Sequence, residues 1–313
     1  MSTREKWLTV LVCLCILILC SGFGLFRKKT VSSGITEVSE LKGRTLGGVE
    51  SRMPANSAKI FFESMLGVKL AGYKAYNNMD EALCALNTGE VAAIWTTDVT
   101  ADYLTGGEGT DASEASIDAD NGIKYRVVDT HATSGIMQLP EGRFEFGFAV
   151  KNDEYGEKLI TGLNSAIAAL KAGGVLDELT RKYIYEAHDA EKFSVKDMVS
   201  QTPAYRQTYE RAGTLVIGIT GAVPPVELID ANGQPYGFCA AFTDEIAQCL
   251  GICVELKAVD NETAFTGLMS GGIDAVMCYG TPGRITTEGT RKWLMSDGYL
   301  PCAGYQLISV ETE

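Results

Sequence analysis

Short apolar segments alternate with amphipathic helix patterns twice along this chain, and the alternation restricts the possible folds more than any other feature. In the first half, the pattern predicts strands at Arg44–Val49 and Val91–Trp95, and helices at Ala58–Leu66 and Met79–Asn87. Strands that alternate with helices form parallel sheets covered by helices. The sequence therefore predicts an α/β fold.

The same alternation resumes after a charged and polar stretch at 188–212. The second series contains three predicted strands and two predicted helices: Leu215–Ile219, Phe242–Leu250, Val254–Ala258, Thr263–Met269 and Ala275–Cys278. Between the two series, Phe146–Lys151 is a predicted strand, and Tyr155–Tyr185 is predicted to form two helices split at Gly173 and Gly174. A last strand is predicted at Gly304–Val310.

The N-terminal segment predicts export. Residues 7–26 form an uncharged apolar run preceded by Arg4 and Lys6, and about 20 such residues are enough to cross a bilayer as a helix. Secretory signals have the same basic start. Cys20 resembles the lipid-attachment cysteine of bacterial lipoproteins, although Leu19 stands where that motif has a small residue. A helix anchor and a lipid anchor both remain open, and either places the rest of the chain outside the cytoplasm.

Charge and composition exclude several functional classes. The chain carries a net charge of −13, of which residues 1–29 contribute +4, so the remainder carries −13 − 4 = −17. Such an acidic body argues against nucleic acid as a partner. The sequence has two histidines and shows neither a nucleophile–base pair nor a glycine-rich phosphate loop nor a metal-ligand cluster. We therefore expect no cofactor, no metal and no enzymatic activity.

Six cysteines follow the N-terminal apolar run, and none has the CxxC spacing of a metal or redox site. Most fall in apolar strand or helix patterns, which predicts buried free thiols. They are Cys84, Cys239, Cys249, Cys253, Cys278 and Cys302.

Three longer segments resemble one protein family. The segments GTLVIGITGAVPPVELIDANGQPYGFCAAFTDEIAQCL (213–250), YKAYNNMDEALCALNTGEVAAIWTTDVTADYL (73–104) and LITGLNSAIAALKAGGVLDELTRKYI (159–184) resemble the extracellular solute-binding proteins of the polar amino acid type, which serve ABC importers. In that family the GTLVIGIT-like segment comes first, whereas here it comes last. The resemblance implies a two-lobed periplasmic-binding-protein-like fold of type II, with a ligand cleft between lobes whose order is circularly permuted.

The resemblance also implies a domain organisation. Residues 1–30 are expected to be the signal or anchor, 35–145 one lobe, 146–187 the hinge strand and closing helices, 188–212 a linker, and 213–310 the other lobe. With this order we expect one strand, 146–151, to connect the lobes, where the unpermuted family has two connections.

Two loops are expected to bind a ligand carboxylate. In CYGTPGR (278–284), Thr281 and Arg284 match the family segment whose arginine grips the carboxylate with two parallel hydrogen bonds; the alternative is an exposed loop arginine. In GVESRMPANSAKIFF (48–62), Ser57 is expected at a helix start, where free N–H groups bind anions. The alternative for Ser57 is a simple capping role.

The other end of the ligand is less well defined. Asp98 stands where the family binds the ligand ammonium, with Thr97 as the alternative in a shifted register and a helix cap as the alternative role. Thr220 and Val223 replace the Asp and the aromatic residue that amino acid receptors commonly carry. Tyr279 either supplies the missing aromatic wall or fills part of the pocket. The ligand therefore need not be a standard α-amino acid.

The predicted function is an extracytoplasmic receptor that captures an amino acid or similar small carboxylate. Its expected partners are that small molecule, an ABC transporter permease and the membrane, through the N-terminal segment. A membrane-tethered ligand-sensing domain is the alternative, and an enzyme on the same fold is a weaker one.

Overall fold

The computed structural model describes residues 34–49, 59–106, 123–128, 145–186, 213–280, 292–302 and 304–311. Within these ranges the chain forms a five-stranded sheet, a six-stranded sheet and a short hairpin, together with helices. The prediction of an α/β fold with two lobes is confirmed, since each lobe has a sheet of its own.

The elements of the first half surround the five-stranded sheet. In chain order they are β1 Thr45–Val49, β2 Gly72–Tyr76, α1 Met79–Asn87, β3 Ala93–Thr97, α2 Asp98–Thr105 and β4 Tyr125–Val127. A 3-10 turn at Val38–Leu41 and a π-helical turn at Phe61–Met65 complete this half.

The elements that follow belong, with one exception, to the six-stranded sheet and its hairpin. They are β5 Glu145–Lys151, α3 Glu154–Ala172, α4 Val175–Thr180 with the π-helical turn Arg181–Tyr185, β6 Thr214–Ile219, β7 Leu228–Ile229, β8 Pro235–Tyr236, α5 Phe238–Leu250, β9 Cys253–Ala258, α6 Asn261–Ser270, β10 Ala275–Gly280, β11 Trp293–Met295, β12 Leu300–Pro301 and β13 Tyr305–Val310. The exception is β13.

The first sheet has the strand order β2-β1-β3-β13-β4, and the second has the order β11-β5-β10-β6-β9, with β12 also paired to β5. In the first sheet β1 is parallel to β2 and β3, whereas β13 is antiparallel to β3 and β4. In the second sheet β6 is parallel to β9 and β10, and β5 is antiparallel to β10. We call the first sheet with α1 and α2 the first lobe, and the second sheet with α3 to α6 the second lobe.

The chain crosses between the lobes twice, and the expectation of a single connecting strand is wrong. One crossing joins β4 in the first sheet to β5 in the second. The other joins β12, paired with β5, to β13, which pairs with β3 through Leu307↔Trp95. The physical reason is the burial of β13: Leu307, Ile308 and Ser309 are fully buried, so this apolar strand belongs in the interior of the first sheet rather than at an edge of the second.

The two ends of the described body lie together. The Ile35 N–H donates to Ser309 Oγ over 3.0 Å, although 274 residues separate them. The same Oγ donates to the carbonyl oxygen of Ala92 over 2.8 Å. Both Ile35 and Ser309 are fully buried, so the beginning of the body is fixed against its last strand.

Helix positions follow their capping residues. The bounds predicted for α1 are confirmed, and the Asn78 side chain caps it by accepting from the Glu81 N–H. Helix α5 begins at Phe238, four residues before its predicted start. Gly237 precedes it with φ 74° and ψ −137°, a backbone conformation that only glycine adopts readily.

Aromatic side chains fill the second lobe. Phe242 packs on Tyr299 with ring centroids 4.8 Å apart, and on Phe238 at 5.4 Å. Phe148 lies 5.2 Å from Tyr299. These rings join β5, α5 and the segment before β12 into one core.

Among the described residues, no single helix combines the length and apolarity needed to cross a membrane. The pair Glu154–Ala172 and Val175–Tyr185, bent by 81° where the two helices meet, reaches that length and apolarity only when both helices are counted together. The predicted anchor at 7–26 lies outside the described residues.

Candidate functional site

The carboxyl ends of strands from both sheets meet at one place. Asn77, immediately after β2, accepts a hydrogen bond at its carbonyl oxygen from Asn261 Nδ2, three residues after β9, over 2.6 Å. The Met79 N–H donates to the carbonyl oxygen of Gly221, two residues after β6, over 3.3 Å. In open α/β sheets, ligands bind outside the carboxyl ends of the strands. This junction between the lobes is therefore the candidate site.

Thr220, at the end of β6, is directed into the second lobe. Its Oγ1 donates to Glu227 Oε2 over 2.9 Å, and its N–H lies 3.3 Å from Glu227 Oε1. The Ala222 N–H also donates to Glu227 Oε2, over 3.3 Å. Thr220 is 5% and Glu227 is 1% exposed. These donors hold a buried carboxylate of the protein itself.

The loop after Thr220 is apolar and covered. Ala222 and Val223 are each 1% exposed. Gly221 has φ +65°, and a Cβ there would lie 3.2 Å from Ile229 Cδ1. Glycine is therefore required both for the backbone conformation and for the space. Neither Glu227 nor Gly221 was singled out from the sequence, although Glu227 directly follows the apolar Pro-Pro turn VPPV.

Asp98 lies at the start of α2, beside the second crossing. Its Oδ1 accepts a hydrogen bond from Cys302 Sγ over 2.9 Å, and its N–H donates to the carbonyl oxygen of Gly304 over 3.1 Å. The capping alternative for Asp98 is wrong. Thr97 is the N-cap and accepts from the Thr100 N–H, because Thr97 is the last extended residue before the helix. The half-buried Asp98 thus ties α2 to the segment that joins the lobes.

A bulge precedes the expected carboxylate loop. Between Val276 and Tyr279 the register of β10 against β5 shifts, and Cys278 within the shift has φ 57°. Few non-glycine residues adopt this left-handed conformation. The Cys278 N–H donates to the Tyr299 hydroxyl oxygen over 2.8 Å, and that hydroxyl lies 3.5 Å from Cys278 Sγ. Burial raises the pKa of Tyr299 well above its usual value, so Tyr299 remains protonated.

Three predicted ligand residues, Ser57, Thr281 and Arg284, lie outside the described residues, and Tyr279 is described only by its backbone. Their roles stay predictions. In the sequence, Ser57 comes after β1, Tyr279 is the last residue but one of β10, and Thr281 and Arg284 come after β10.

Two tyrosines, Tyr103 of α2 and Tyr236 of β8, are buried. Burial raises the pKa of both hydroxyls, and the negative charge of Asp80 on α1 adds to the rise. Burial, followed by the negative charge of Asp80, raises the pKa of Tyr236 to about 12. Tyr236 is therefore neutral at physiological pH.

The six described cysteines are free, as predicted. Burial was wrongly predicted for two of them. Cys84 on α1 and Cys249 on α5 are exposed, because their helices turn these positions away from the core. Cys239 is fully buried, and this burial raises the pKa of its thiol to about 12. Unreactive buried thiols and exposed thiols thus occur in the same lobe.

A cavity of about 370 Å³ lies beside α6, and none of its lining residues is a predicted ligand residue. Its lining includes Lys257, Glu262, Thr266 and Ser270. Among the described residues, no group of three or more His, Cys, Asp or Glu side chains is arranged to hold a metal ion.

Residues 215–305 match the sequence model of the bacterial extracellular solute-binding proteins, family 3. The match covers less than a third of the chain, and it confirms the resemblance over that segment. No curated protein matches the chain.

Solved structures resemble the fold at low identity. An amino acid ABC transporter substrate-binding protein, AbpA from Streptococcus pneumoniae bound to L-arginine, is 12% identical with a TM-score of 0.36, covering 88% of this chain and 84% of its own. The periplasmic VFT2 domain of Bordetella pertussis BvgS is 9% identical with a TM-score of 0.37, and the match covers 87% of this chain and 83% of that domain. A LysR family transcriptional regulator from Pseudomonas aeruginosa is 9% identical with a TM-score of 0.37, and the match covers 99% of this chain and 78% of the regulator. Likenesses this low carry no argument about function.

Proposed function

We propose that this chain, part of which matches family 3 of the solute-binding proteins, is an extracytoplasmic receptor that binds an amino acid or similar small carboxylate. The ligand would lie between the two lobes, and an ABC importer would receive it. The observation that carries the proposal is the family match at 215–305. Its position supports the proposal, since it includes β6 and β10, whose carboxyl ends border the junction between the lobes.

The roles proposed for the ligand residues follow the strand ends. Arg284 and Thr281 would hold the carboxylate from the second lobe, with Tyr279 beside them. Ser57, which the sequence predicts at a helix start after β1, would approach it from the first lobe. Asp98 would contribute from the start of α2, where it accepts from Cys302. Thr220 would act indirectly, because its hydroxyl donates to Glu227.

We also propose that the lobe order is circularly permuted relative to the family. The hydrogen bond from Ile35 to Ser309 supports this, because it brings the end of β13 next to the start of the first lobe. An unpermuted chain would continue from one to the other at this point. The stretch 188–212 would then be the added linker.

Thermal unfolding of the full chain in detergent micelles, with amino acids and small carboxylates as probes, tests the binding proposal. Ligands that bind the folded state raise the melting temperature. We expect at least one carboxylate to do so, and Arg284→Ala to abolish the rise. Arg181→Ala is the matched control, because Arg181 is an exposed arginine that pairs with Glu186 and is not a predicted ligand residue. A rise that persists in Arg284→Ala would reject the site, and no rise with any probe would reject the proposed function.

Co-purification with the permease subunits tests the importer role. Binding of a carboxylate without any permease association would favour the ligand-sensing alternative.

A further inference from the structure

Two helices from different lobes meet at their N-terminal ends. Asn261 is the first residue of α6 in the second lobe, and Asn77 directly precedes the N-cap of α1 in the first lobe. The side-chain amide of Asn261 donates to the carbonyl oxygen of Asn77 over 2.6 Å, although 184 residues separate the two positions. This bond exists only while the lobes are together.

A second hydrogen bond lies beside the first. The Met79 N–H, at the first residue of α1, donates to the carbonyl oxygen of Gly221 over 3.3 Å. The first N–H groups of a helix have no partner within the helix, so this donor is free to bond with the other lobe. Gly221 lies in the left-handed region at φ +65°, and this conformation determines the direction of its carbonyl group.

Water is excluded from this contact. Asn261 is 5%, Met79 2%, Ala222 1% and Val223 1% exposed. A buried side-chain amide is rarely left unbonded, and Asn261 makes its recorded bond across the lobes rather than within its own helix. In such a low-dielectric environment, hydrogen bonds are stronger than in water.

We propose that Asn261 is a latch residue that stabilises the closed arrangement of the two lobes. The latch consists of the Asn261–Asn77 and Met79–Gly221 hydrogen bonds. A typical buried hydrogen bond shifts a two-state equilibrium about 2- to 12-fold. Each latch bond therefore shifts the equilibrium between open and closed lobes towards the closed arrangement.

A shift towards the closed arrangement has a direct consequence for binding. The apparent affinity of a ligand falls in proportion to the fraction of protein that is competent to admit or hold it. A partner that recognises the closed form would bind this protein even without ligand. This inference concerns the ligand-free chain, so its test contains no ligand and does not depend on the outcome of the binding experiment.

Two exposed native cysteines make the test possible. Cys84 lies on α1 of the first lobe, and Cys249 lies on α5 of the second. Nitroxide labels on this pair report the separation of the lobes by electron–electron double resonance. The full chain is used in detergent micelles, with Cys13, Cys15, Cys20 and Cys253 replaced by serine to restrict labelling.

The latch predicts a short distance between the two labels, from the closed arrangement, in the unsubstituted chain. Asn261→Ala should add a longer distance and raise the open-to-closed ratio about 2- to 12-fold. Asn261→Asp, which keeps the size but removes the amide donor, should act in the same direction. Asn232→Ala is the matched control, since Asn232 bonds only locally to Asp230 in the β7–β8 turn, and it should leave the distances unchanged.

Amide hydrogen exchange of Met79 provides an independent measurement on the unsubstituted chain. Protection of this amide without ligand is expected, and Asn261→Ala should reduce it while leaving β3 protected. The inference is overturned if the Met79 amide exchanges without protection, or if Asn261→Ala and Asn261→Asp both leave the distance distribution unchanged.

Discussion

The Thr220 hydroxyl and the Glu227 carboxylate form a 2.9 Å hydrogen bond inside the second lobe, at the end of the strand that leads to the candidate site. The Ala222 N–H donates to the same carboxylate. A loop that follows a strand in this fold is available for ligand contacts, yet its donors here serve a residue of the protein. Glu227 therefore determines the shape of the loop at 220–223.

Removing the Glu227 carboxylate should destabilise the fold. Glu227→Ala leaves the Thr220 hydroxyl and the Thr220 N–H buried without their acceptor, and it removes one of the two acceptors of the Ala222 N–H. We therefore expect a loss of roughly 3 kcal/mol in the free energy of unfolding. Glu227→Gln should cost less, because its amide oxygen still accepts. Urea denaturation measures both. Thr220→Val is the control and should cost about 1 kcal/mol; an equal loss for Thr220→Val and Glu227→Ala would contradict this account.

Acid should weaken the N-terminus of α6. The Thr263 N–H donates to Asp260 Oδ1 over 2.6 Å, and this bond holds the pKa of Asp260 below its usual value. Since the folded pKa is the lower one, the stabilisation is present above the ordinary pKa and is lost as the pH falls below about 4. Asp260→Asn keeps a capping group that does not titrate.

We therefore expect the unfolding free energy of Asp260→Asn to fall less steeply with acid than that of the unsubstituted chain. Denaturant titrations between pH 6 and pH 3 measure the two slopes. Identical slopes would show that the Asp260 cap makes no contribution.

Thiol reactivity should separate the cysteines by burial. Cys84 and Cys249 are exposed, whereas Cys239 is fully buried with a pKa of about 12. At pH 8 only about one Cys239 thiol in ten thousand is ionised, and the thiolate is the reactive form. Iodoacetamide followed by mass spectrometry should modify Cys84 and Cys249 in the native chain, and Cys239 only after unfolding. Native modification of Cys239 at the rate of Cys84 would refute its burial.

Strand and helix positions were predictable where periodicity or caps marked them. Helix α1 has an Asn cap and an apolar face, and its bounds were predicted correctly. The strands of the first lobe were predicted less accurately. Strand β2 at Gly72–Tyr76 was not predicted, because Lys74 and Ala75 are exposed at the edge of its sheet and leave little alternation to detect. Strand β3 lies two residues later than predicted, since Val91 and Ala92 are buried without being part of it.

The site was less predictable than the fold. The sequence alone indicated that residues after the strands bind the ligand, but local patterns carry no information about contacts across 184 residues such as Asn261 with Asn77. The same limit explains the error in the lobe connections. The periodicity of β13 identified it as a buried strand, and only pairing with β3 shows to which sheet it belongs.

Restoring the family order of the segments tests the proposed permutation. Joining residue 311 to residue 34 through a short Gly-Ser linker, and opening the chain within 188–212, gives a protein that begins at 213 and ends at 186. Because the Ile35 nitrogen lies 3.0 Å from Ser309 Oγ, the linker spans a short distance and should cause no strain. Both crossings between the lobes, β4 to β5 and β12 to β13, remain intact.

We expect this rearranged chain to fold cooperatively, with an unfolding free energy within about 1 kcal/mol of that of the original body, since the paired strands of both sheets are retained. The body comprising residues 30–313, purified in parallel, is the reference. A second rearrangement that opens the chain between β9 and α6 is the control, and it should fail to fold because it separates α6 from the strand it follows. Urea denaturation and far-ultraviolet circular dichroism decide the outcome. If the rearranged chain is unfolded while the reference body is stable, the two ends are not equivalent to a continuous connection and the permutation is rejected.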